Sequence, residues 1–350
     1  MHAQGDILNI LVVGPSWVGD MVMSQSLLLR LKADNPNCQI DVLAPNWCRS
    51  VLARMPQVNK AIEMPVGHGA LKWKIRKKLA LSLIITDYQQ SIILPNSLKS
   101  ALVPWMAKIE KRTAWRGELR YGLVNDMRKL DKKAFPLMVQ RYIALAETAK
   151  NSAVDLKPLL IPRLDVNLDQ QRDLSSRFRL DETTENLIAF CPGAEFGPAK
   201  RWPHYHFAAL ASLLIKRGKQ IVCLGSAKDS EAIQQIKDLL NQTEQQRFVD
   251  VSGQTSLTEA IDILAGCAAI VSNDSGLMHI GAAVNTPMVA LYGPTSPDFT
   301  PPLGEKSEVI RLIEGYIKLR RGKTELGYHQ SMIDIQPEKV LERLQSLVII

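Results

Sequence analysis

The stretch Ile270–Val284 reads Ile-Val-Ser-Asn-Asp-Ser-Gly-Leu-Met-His-Ile-Gly-Ala-Ala-Val, and it constrains the fold more than any other part of the chain. The apolar run Ala268–Val271 reads as a buried strand. Asn273, Asp274, Ser275 and Gly276 make a turn, and Leu277–Val284 reads as a helix of small residues. A strand that breaks into a helix through Ser-Gly leaves backbone N–H groups unpaired at the helix start. With the positive end of the helix dipole they form a site for a phosphate or carboxylate. Gly276 lets a ligand approach the backbone, and Gly281, Ala282 and Ala283 let the helix lie close on a sheet. The competing reading is an ordinary strand–helix corner capped by Asp274 or Ser275.

The second half repeats this rhythm. Leu187–Cys191, Gln220–Leu224, Phe248–Val251 and Met288–Tyr292 are aliphatic runs of strand length. Each end leads into a loop bearing Gly, Ser, Thr or Lys: Pro192–Pro203, Gly225–Asp229, and Gly293-Pro-Thr-Ser-Pro after Met288–Tyr292. Pro203–Arg217 reads as a helix with Pro203 first and Gly218 beyond its end. Ser256-Leu-Thr-Glu259 is a capping box opening Leu257–Gly266, and Pro337–Val348 is a final amphipathic helix. Loops at the ends of parallel strands are where such sheets bind ligands. Lys200, in Gly-Pro-Ala-Lys-Arg-Trp-Pro, is placed to neutralise a diphosphate. His279, one turn into the small-residue helix, is either a second donor to the same oxygens or a buried histidine bonded to backbone.

The first half opens with the strand Ile7–Val13, then Gly14-Pro-Ser-Trp-Val-Gly-Asp20 and an amphipathic run Met21–Ala33. Gly14 and Gly19 are spaced as in a phosphate loop, but Asp20 stands where that motif needs Lys, and a carboxylate repels phosphate. The glycines also miss Gly-x-Gly-x-x-Gly. What remains is an acid at a strand end: a general base facing a ligand, or a cap on the adjoining helix. Gln39–Leu43 and Ser91–Leu94 are further strands. Between them Trp73, Ile75, Leu79 and Leu83 interleave with Lys72, Lys74, Arg76, Lys77 and Lys78, a membrane-interface pattern or a solvated helix face. Pro95-Asn-Ser-Leu-Lys-Ser opens another helix, and Arg112, Arg116, Arg120 and Arg128 form a candidate anion cluster.

Charge separates the halves. Residues 1–165 carry 24 Lys and Arg against 13 Asp and Glu, while residues 166–350 carry 19 against 22. An anionic partner is therefore expected for the first half alone: an acidic membrane surface, or nucleic acid. The polar run Lys150–Thr184 reads as the linker between two domains, 1–165 and 166–350, with the last helix a candidate to pack back on the first. No stretch approaches the ~20 apolar residues of a membrane span, and Met1–Asn9 lacks the pattern of a secretory signal. Five widely spaced cysteines fit reduced core thiols of a cytosolic protein.

These residues resemble the lipopolysaccharide heptosyltransferase family of inverting glycosyltransferases, from Ile10 to about Leu347. The family's Gly-Asp after the first strand is Gly19-Asp20, its lysine loop is Pro192–Pro203, and its Asp-(Ser/Thr)-Gly-Leu-x-His is Asp274–His279. Gly-Pro-Ser-Trp-Val-Gly-Asp, Gly-Ala-Glu-Phe-Gly-Pro-Ala-Lys-Arg-Trp-Pro-His-Tyr and Gly-Tyr-His-Gln (Gly327–Gln330) look like the members that add the second heptose. The resemblance implies an α/β GT-B architecture, two Rossmann-like parallel-sheet domains facing a central cleft. It implies ADP-heptose as donor and Kdo-lipid A carrying one heptose as acceptor, met at the cytoplasmic surface of the inner membrane, with no nucleic acid. Asp20 and Lys200 are the implied catalytic pair. Gly193, Lys200, Gly225, Ser226, Asp229, Asp274, Ser275, Gly276, Leu277 and His279 would hold the donor, with Glu231 a weaker candidate for its ribose or base. Lys74, Arg76, Asn96, Lys99, Arg116 and Arg120 would hold the acceptor. No Asp-x-Asp occurs, so no obligatory cofactor or metal is implied. Two alternatives share features with this reading. Another GT-B sugar-nucleotide enzyme, a UDP-sugar transferase or an epimerase, would use the same corner. A nucleic-acid-binding protein would use the basic half, although aromatic residues for base stacking are sparse.

Overall fold

A computed structural model describes residues 8–66, 70–147, 159–181, 183–195 and 197–348. The chain divides into two compact units, residues 1–162 and 163–350. Ile7, the start before it and Gly67–Gly69 lie outside the described residues.

Each unit is built on a six-stranded sheet whose strand pairs are all parallel. In the first, β1 (Asn9–Val13), β2 (Gln39–Ala44), β3 (Lys60–Glu63), β4 (Gln90–Ile93), β5 (Lys111–Trp115) and β6 (Asp126–Arg128) run in the order β3-β2-β1-β4-β5-β6. In the second, β7 (Leu187–Cys191), β8 (Gln220–Cys223), β9 (Phe248–Asp250), β10 (Ala269–Asn273), β11 (Met288–Tyr292) and β12 (Ser307–Arg311) run β12-β11-β10-β7-β8-β9. Counted within each unit, both orders are 3-2-1-4-5-6, the doubly wound dinucleotide-fold order. Its strand order reverses between the first and fourth strands, and ligands bind outside the carboxyl ends there. The two switch points are thus fixed by chain order: β1 beside β4, and β7 beside β10.

The strands legible as aliphatic runs are the central ones. Leu187–Cys191, Ala269–Asn273 and Met288–Tyr292 are buried at every position, because a parallel sheet covered on both faces needs apolar side chains on both. The strands β3, β5, β6 and β12 carry charged residues, and the apolar-run criterion misses them.

Two expectations are corrected. The stretch read as linker contains a helix, Leu168–Phe178, whose one buried side chain is Leu174. It is held by polar ties to the Leu257–Ala265 helix, with Asn167 N donating to Asp262 Oδ1 at 2.8 Å and Gln171 Nε2 donating to Asp262 O at 2.9 Å. A polar interface leaves no apolar period to read. The final helix, Pro337–Leu347, buries Val340, Leu341 and Leu344 in the second unit's own core with Phe207, Leu214 and Met332. Pro203 is the N-cap of the His204–Ile215 helix rather than its first residue. All five cysteines are buried free thiols.

Candidate active site

The second unit's switch point brings the sequence-derived anion corner together. After β10, Ser275 is the N-cap of the Gly276–Ala283 helix but its side chain makes no capping bond. Asp274 turns instead to Lys200, with Nζ–Oδ2 at 2.6 Å and both side chains nearly buried. The capped-corner reading thus gives way. Gly276 and Leu277 begin a helix whose first N–H groups lack a side-chain cap, beside a lysine brought in from the β7 loop. Gly281 acts as expected: a Cβ there would stand 2.5 Å from Ile270 Cδ1 and 2.8 Å from Met288 Cε. The helix therefore sits close on the sheet only because no side chain intervenes.

The loop that carries Lys200 is held by the last residue of β10. Asn273, fully buried, accepts Trp202 N at 3.0 Å through Oδ1 and donates through Nδ2 to Pro192 O at 2.7 Å. One amide thus ties both ends of the lysine loop to the end of β10. Leaving either partner unpaired in the interior costs about 1–3 kcal/mol. The signal in the sequence is an amide at the end of an apolar strand, and no periodicity shows which way it points. Trp202 Nε1 donates to Ile335 O at 2.8 Å and the ring is buried against Phe207. Gly327 and Tyr328 also serve this loop. A Cβ on Gly327 would meet Pro198 at 2.9 Å, and Tyr328 Oη lies 2.9 Å from His204 Nδ1.

Gly193, Gly225, Ser226 and Asp229 also come together, around the Asp229 carboxylate. Its Oδ2 accepts Ser226 N at 3.0 Å and Ser226 Oγ at 2.8 Å, and Oδ1 lies 3.3 Å from Arg201. A Cβ on Gly193 would stand 2.7 Å from that carboxylate, and one on Gly225 would stand 2.9 Å from Asp229 Cβ. In this arrangement the two glycines make room for Asp229, which closes a capping box.

His279 is buried, and its imidazole is pushed down to about 4. Burial is the main cause; Asp274 opposes the shift and Lys200 adds to it. It is a neutral ring at physiological pH. Because the folded pKa lies below the unfolded value of about 6.5, the unfolded chain binds the extra proton between these limits. Stability is therefore lost as pH falls from about 6.5 toward 4. Urea unfolding of native protein and His279→Gln should show it. Relative to the variant, native protein is expected to lose roughly 2–3 kcal/mol between pH 7 and 4.5, and a constant difference would refute the assignment.

In the first unit Asp20 follows β1 at the other switch point. Trp17, not Asp20, is the N-cap, and Asp20 lies in the first turn of the Val18–Asp34 helix. The capping alternative is therefore corrected, although an acid in that turn still gains from the dipole. The carboxylate is half-buried. Its field reaches the buried thiol of Cys48, pushed up to about 12 by burial first and Asp20 second.

The arginines are the clearest correction. Arg120 is fully buried and donates to Pro95 O at 2.8 Å, to Trp115 O, to Ser100 Oγ and to Asn96 Oδ1. Arg76 is buried under the Trp73–Leu83 helix and donates to Leu71 O at 2.7 Å and Lys99 O at 3.2 Å. Arg112 serves Leu123 O and Ile109 O, and Arg128 serves Ala144 O and Glu147 O. A guanidinium with five donors satisfies the carbonyls of irregular loops that no strand or helix pairs. Arg76 and Arg120 thus brace the loops around them from within, rather than standing at the surface as the acceptor reading expects. Lys74, Asn96 and Arg116 stay exposed and Lys99 half-exposed. Asn96 and Lys99 follow β4 at the switch point beside Asp20's strand, and Glu118 N, donating to Asn96 O at 3.0 Å, links that loop to Arg116's. On the Trp73–Leu83 helix the outward apolar residues are Trp73, Ile75 and Leu81, continued by Ile84 and Ile85, whereas Leu83 is buried.

Among the described residues no helix is long and apolar enough to cross a membrane, and no cluster of three or more His, Cys, Asp or Glu is placed to hold a metal ion.

Residues 76–329 match the model of glycosyltransferase family 9 (heptosyltransferase). The chain is 57% identical to lipopolysaccharide heptosyltransferase 2 of Salmonella typhimurium, covering 97% of this chain and 99% of that protein. It is 54% identical to lipooligosaccharide heptosyltransferase 2 of Haemophilus influenzae, covering 97% and 99%. The solved structure of Escherichia coli ADP-heptose lps heptosyltransferase II superposes with a TM-score of 0.88 at 54% identity, covering 97% of this chain and 98% of that one. With the family model matched over residues 76–329 and relatives more than half identical along nearly the whole chain, the chain belongs to glycosyltransferase family 9, the heptosyltransferases.

Proposed function

We propose that this chain transfers L-glycero-D-manno-heptose from ADP-heptose, with inversion, to the first heptose of the Kdo-lipid A core during lipopolysaccharide synthesis. The observation that carries the reading is its likeness to heptosyltransferase 2 proteins along nearly its whole length. A UDP-sugar enzyme or a nucleic-acid binder has no comparable support, and four arginines of the basic half are spent on internal carbonyls.

The reaction is a single displacement. Asp20 takes the proton of the acceptor hydroxyl as its oxygen bonds to the anomeric carbon, which passes through oxocarbenium character. The bond from that carbon to the β-phosphate oxygen breaks, and ADP departs with the electron pair. Lys200 and the N–H groups around Ser275–Leu277 meet the charge that develops there. Asp274 holds the ammonium at 2.6 Å and so keeps a flexible side chain pre-aimed. Fixed cations and the helix terminus fill the role that metal ions fill elsewhere, so no obligatory cofactor enters this scheme. Lys74, Asn96, Lys99 and Arg116 are the surface candidates for the acceptor's phosphates and carboxylates. The deciding assay follows ADP release from ADP-heptose with a single-heptose core acceptor, in chelator, against UDP-sugar controls. Release requiring both substrates supports the scheme, and indifference to the acceptor refutes it.

The acceptor is a lipid, and the first unit carries a surface suited to an acidic bilayer at the cytoplasmic face of the inner membrane. Trp73, Leu81, Ile84 and Ile85, the last 90% exposed, stand among the exposed Lys74, Lys77 and Lys78. Apolar residues ringed by lysines combine interfacial burial with attraction to anionic headgroups. In vesicle flotation the protein is expected to rise with anionic phospholipid and not with phosphatidylcholine alone. Leu81→Glu with Ile85→Glu should cut the bound fraction about tenfold or more. Equal flotation of this variant would remove the helix from the membrane contact.

A further inference from the structure

Two indoles stand at the surface next to the proposed base. Trp17 is 54% exposed and Trp47 49%; of the unit's other indoles Trp73 and Trp105 are also exposed and Trp115 is buried. Trp17 is the N-cap of the helix that holds Asp20, and its carbonyl accepts Met21 N at 2.9 Å. Trp47 lies in the short turn Asn46–Cys48 that follows β2. Its Nε1 donates to Ser16 O at 2.8 Å, and Cys48 Sγ approaches the same carbonyl at 3.7 Å.

Because β1 and β2 are adjacent and parallel, the loops after them leave the same edge of the sheet. The bond from Trp47 to Ser16 then clamps one loop onto the other. Trp17, Trp47 and Asp20 are therefore held on one rim of the first unit.

We infer that Trp17 and Trp47 form a sugar-stacking shelf, a subsite for a pyranose ring of the acceptor saccharide beside Asp20. The inference rests on the reading of Asp20 as the base and adds the group that presents the hydroxyl to it. A pyranose has an apolar face of C–H bonds and a polar rim of hydroxyls. The C–H face packs on the electron-rich face of an indole, and that contact leaves the rim free to meet a carboxylate. Lysines that hold phosphates and carboxylates fix the acceptor's charged groups but do not orient a neutral hydroxyl. An aromatic shelf does so, with little side-chain entropy to lose, and the attacking oxygen is delivered in line with the base.

The test uses the full chain and a lipid-free oligosaccharide, the deacylated single-heptose core, so that membrane binding plays no part. Steady-state kinetics of Trp17→Ala and Trp47→Leu are expected to show KM for the oligosaccharide raised about tenfold, the scale of one lost aromatic contact. KM for ADP-heptose should stay within about twofold of native by the same reasoning. Trp17→Phe, which keeps an aromatic face, should recover most of the loss. Quenching of native tryptophan fluorescence by the oligosaccharide, diminished in Trp17→Phe, gives a second reading that needs no turnover.

An unchanged oligosaccharide KM in both truncations overturns the shelf while leaving the transferase reading intact. A parallel rise in KM for ADP-heptose also overturns it, because the indoles would then serve the donor or the loop's own structure. Failure of the transferase reading looks different: native protein would release no ADP with the acceptor present, and the oligosaccharide would leave its fluorescence unchanged.

Discussion

Asp20→Asn is expected to lower kcat about 10²–10⁴-fold, the range for loss of a positioned general base. KM for ADP-heptose should remain near native. The substitution keeps the shape of the side chain and its place in the first turn of the Val18–Asp34 helix. What it removes besides the base is one favourable charge near a helix N-terminus, a term of about 0.3–1 kcal/mol. Thermal unfolding should therefore move by only a few degrees while turnover collapses. Steady-state ADP release together with a melting curve separates the two effects. Activity within tenfold of native would sink the assignment. A large fall in melting temperature would mean that Asp20 is chiefly structural.

The second large effect falls on the lysine. Lys200→Ala removes the cation proposed to meet the leaving diphosphate and strands Asp274 in a nearly buried position. Breaking a buried pair from one side costs about 3–5 kcal/mol, so the single variant is expected to lose stability as well as activity. A paired experiment resolves the confusion. Lys200→Met combined with Asp274→Asn deletes both charges and replaces the ammonium stem with an apolar one of similar length. Stability should largely return, whereas kcat/KM should stay about 10³-fold or more below native, because loss of preorganised charge at the leaving group is not repaired by packing. Binding of ADP, measured by calorimetry, should weaken in the same variant. Recovery of activity along with stability would show the pair to be a structural tie and no more.

Most of the arginine cluster in the first unit turns inward to loop carbonyls. Arg112, Arg116, Arg120 and Arg128 lie close in sequence, and a guanidinium is equally suited to an external phosphate and an internal carbonyl. Which it meets depends on where the loops around β5 and β6 turn back. Arg120 is enclosed by the segments Pro95–Ser100 and Trp115, which no local pattern places around it. Net charge counted along the chain therefore overstates the basic surface of the first unit. The lysines, long, strongly hydrated and without an acceptor group, largely remain outside.

The central architecture is legible in the chain alone. Aliphatic runs separated by glycine-bearing loops and helices admit little besides a doubly wound parallel sheet. The positions of Asp20, Lys200 and Asp274–His279 after their strands follow from chain order alone, and Gly281 beneath its helix follows from size. The partners of polar groups are set by the three-dimensional packing of distant segments. It paired Asp274 with Lys200 across loops some seventy residues apart, gave Asn273 the task of joining them, and turned Arg76 and Arg120 inward. The reason is physical. Apolar burial is non-directional and leaves a periodic trace in the chain, whereas a hydrogen bond or ion pair depends on angstrom-scale contact between segments whose separation in sequence carries no record of it.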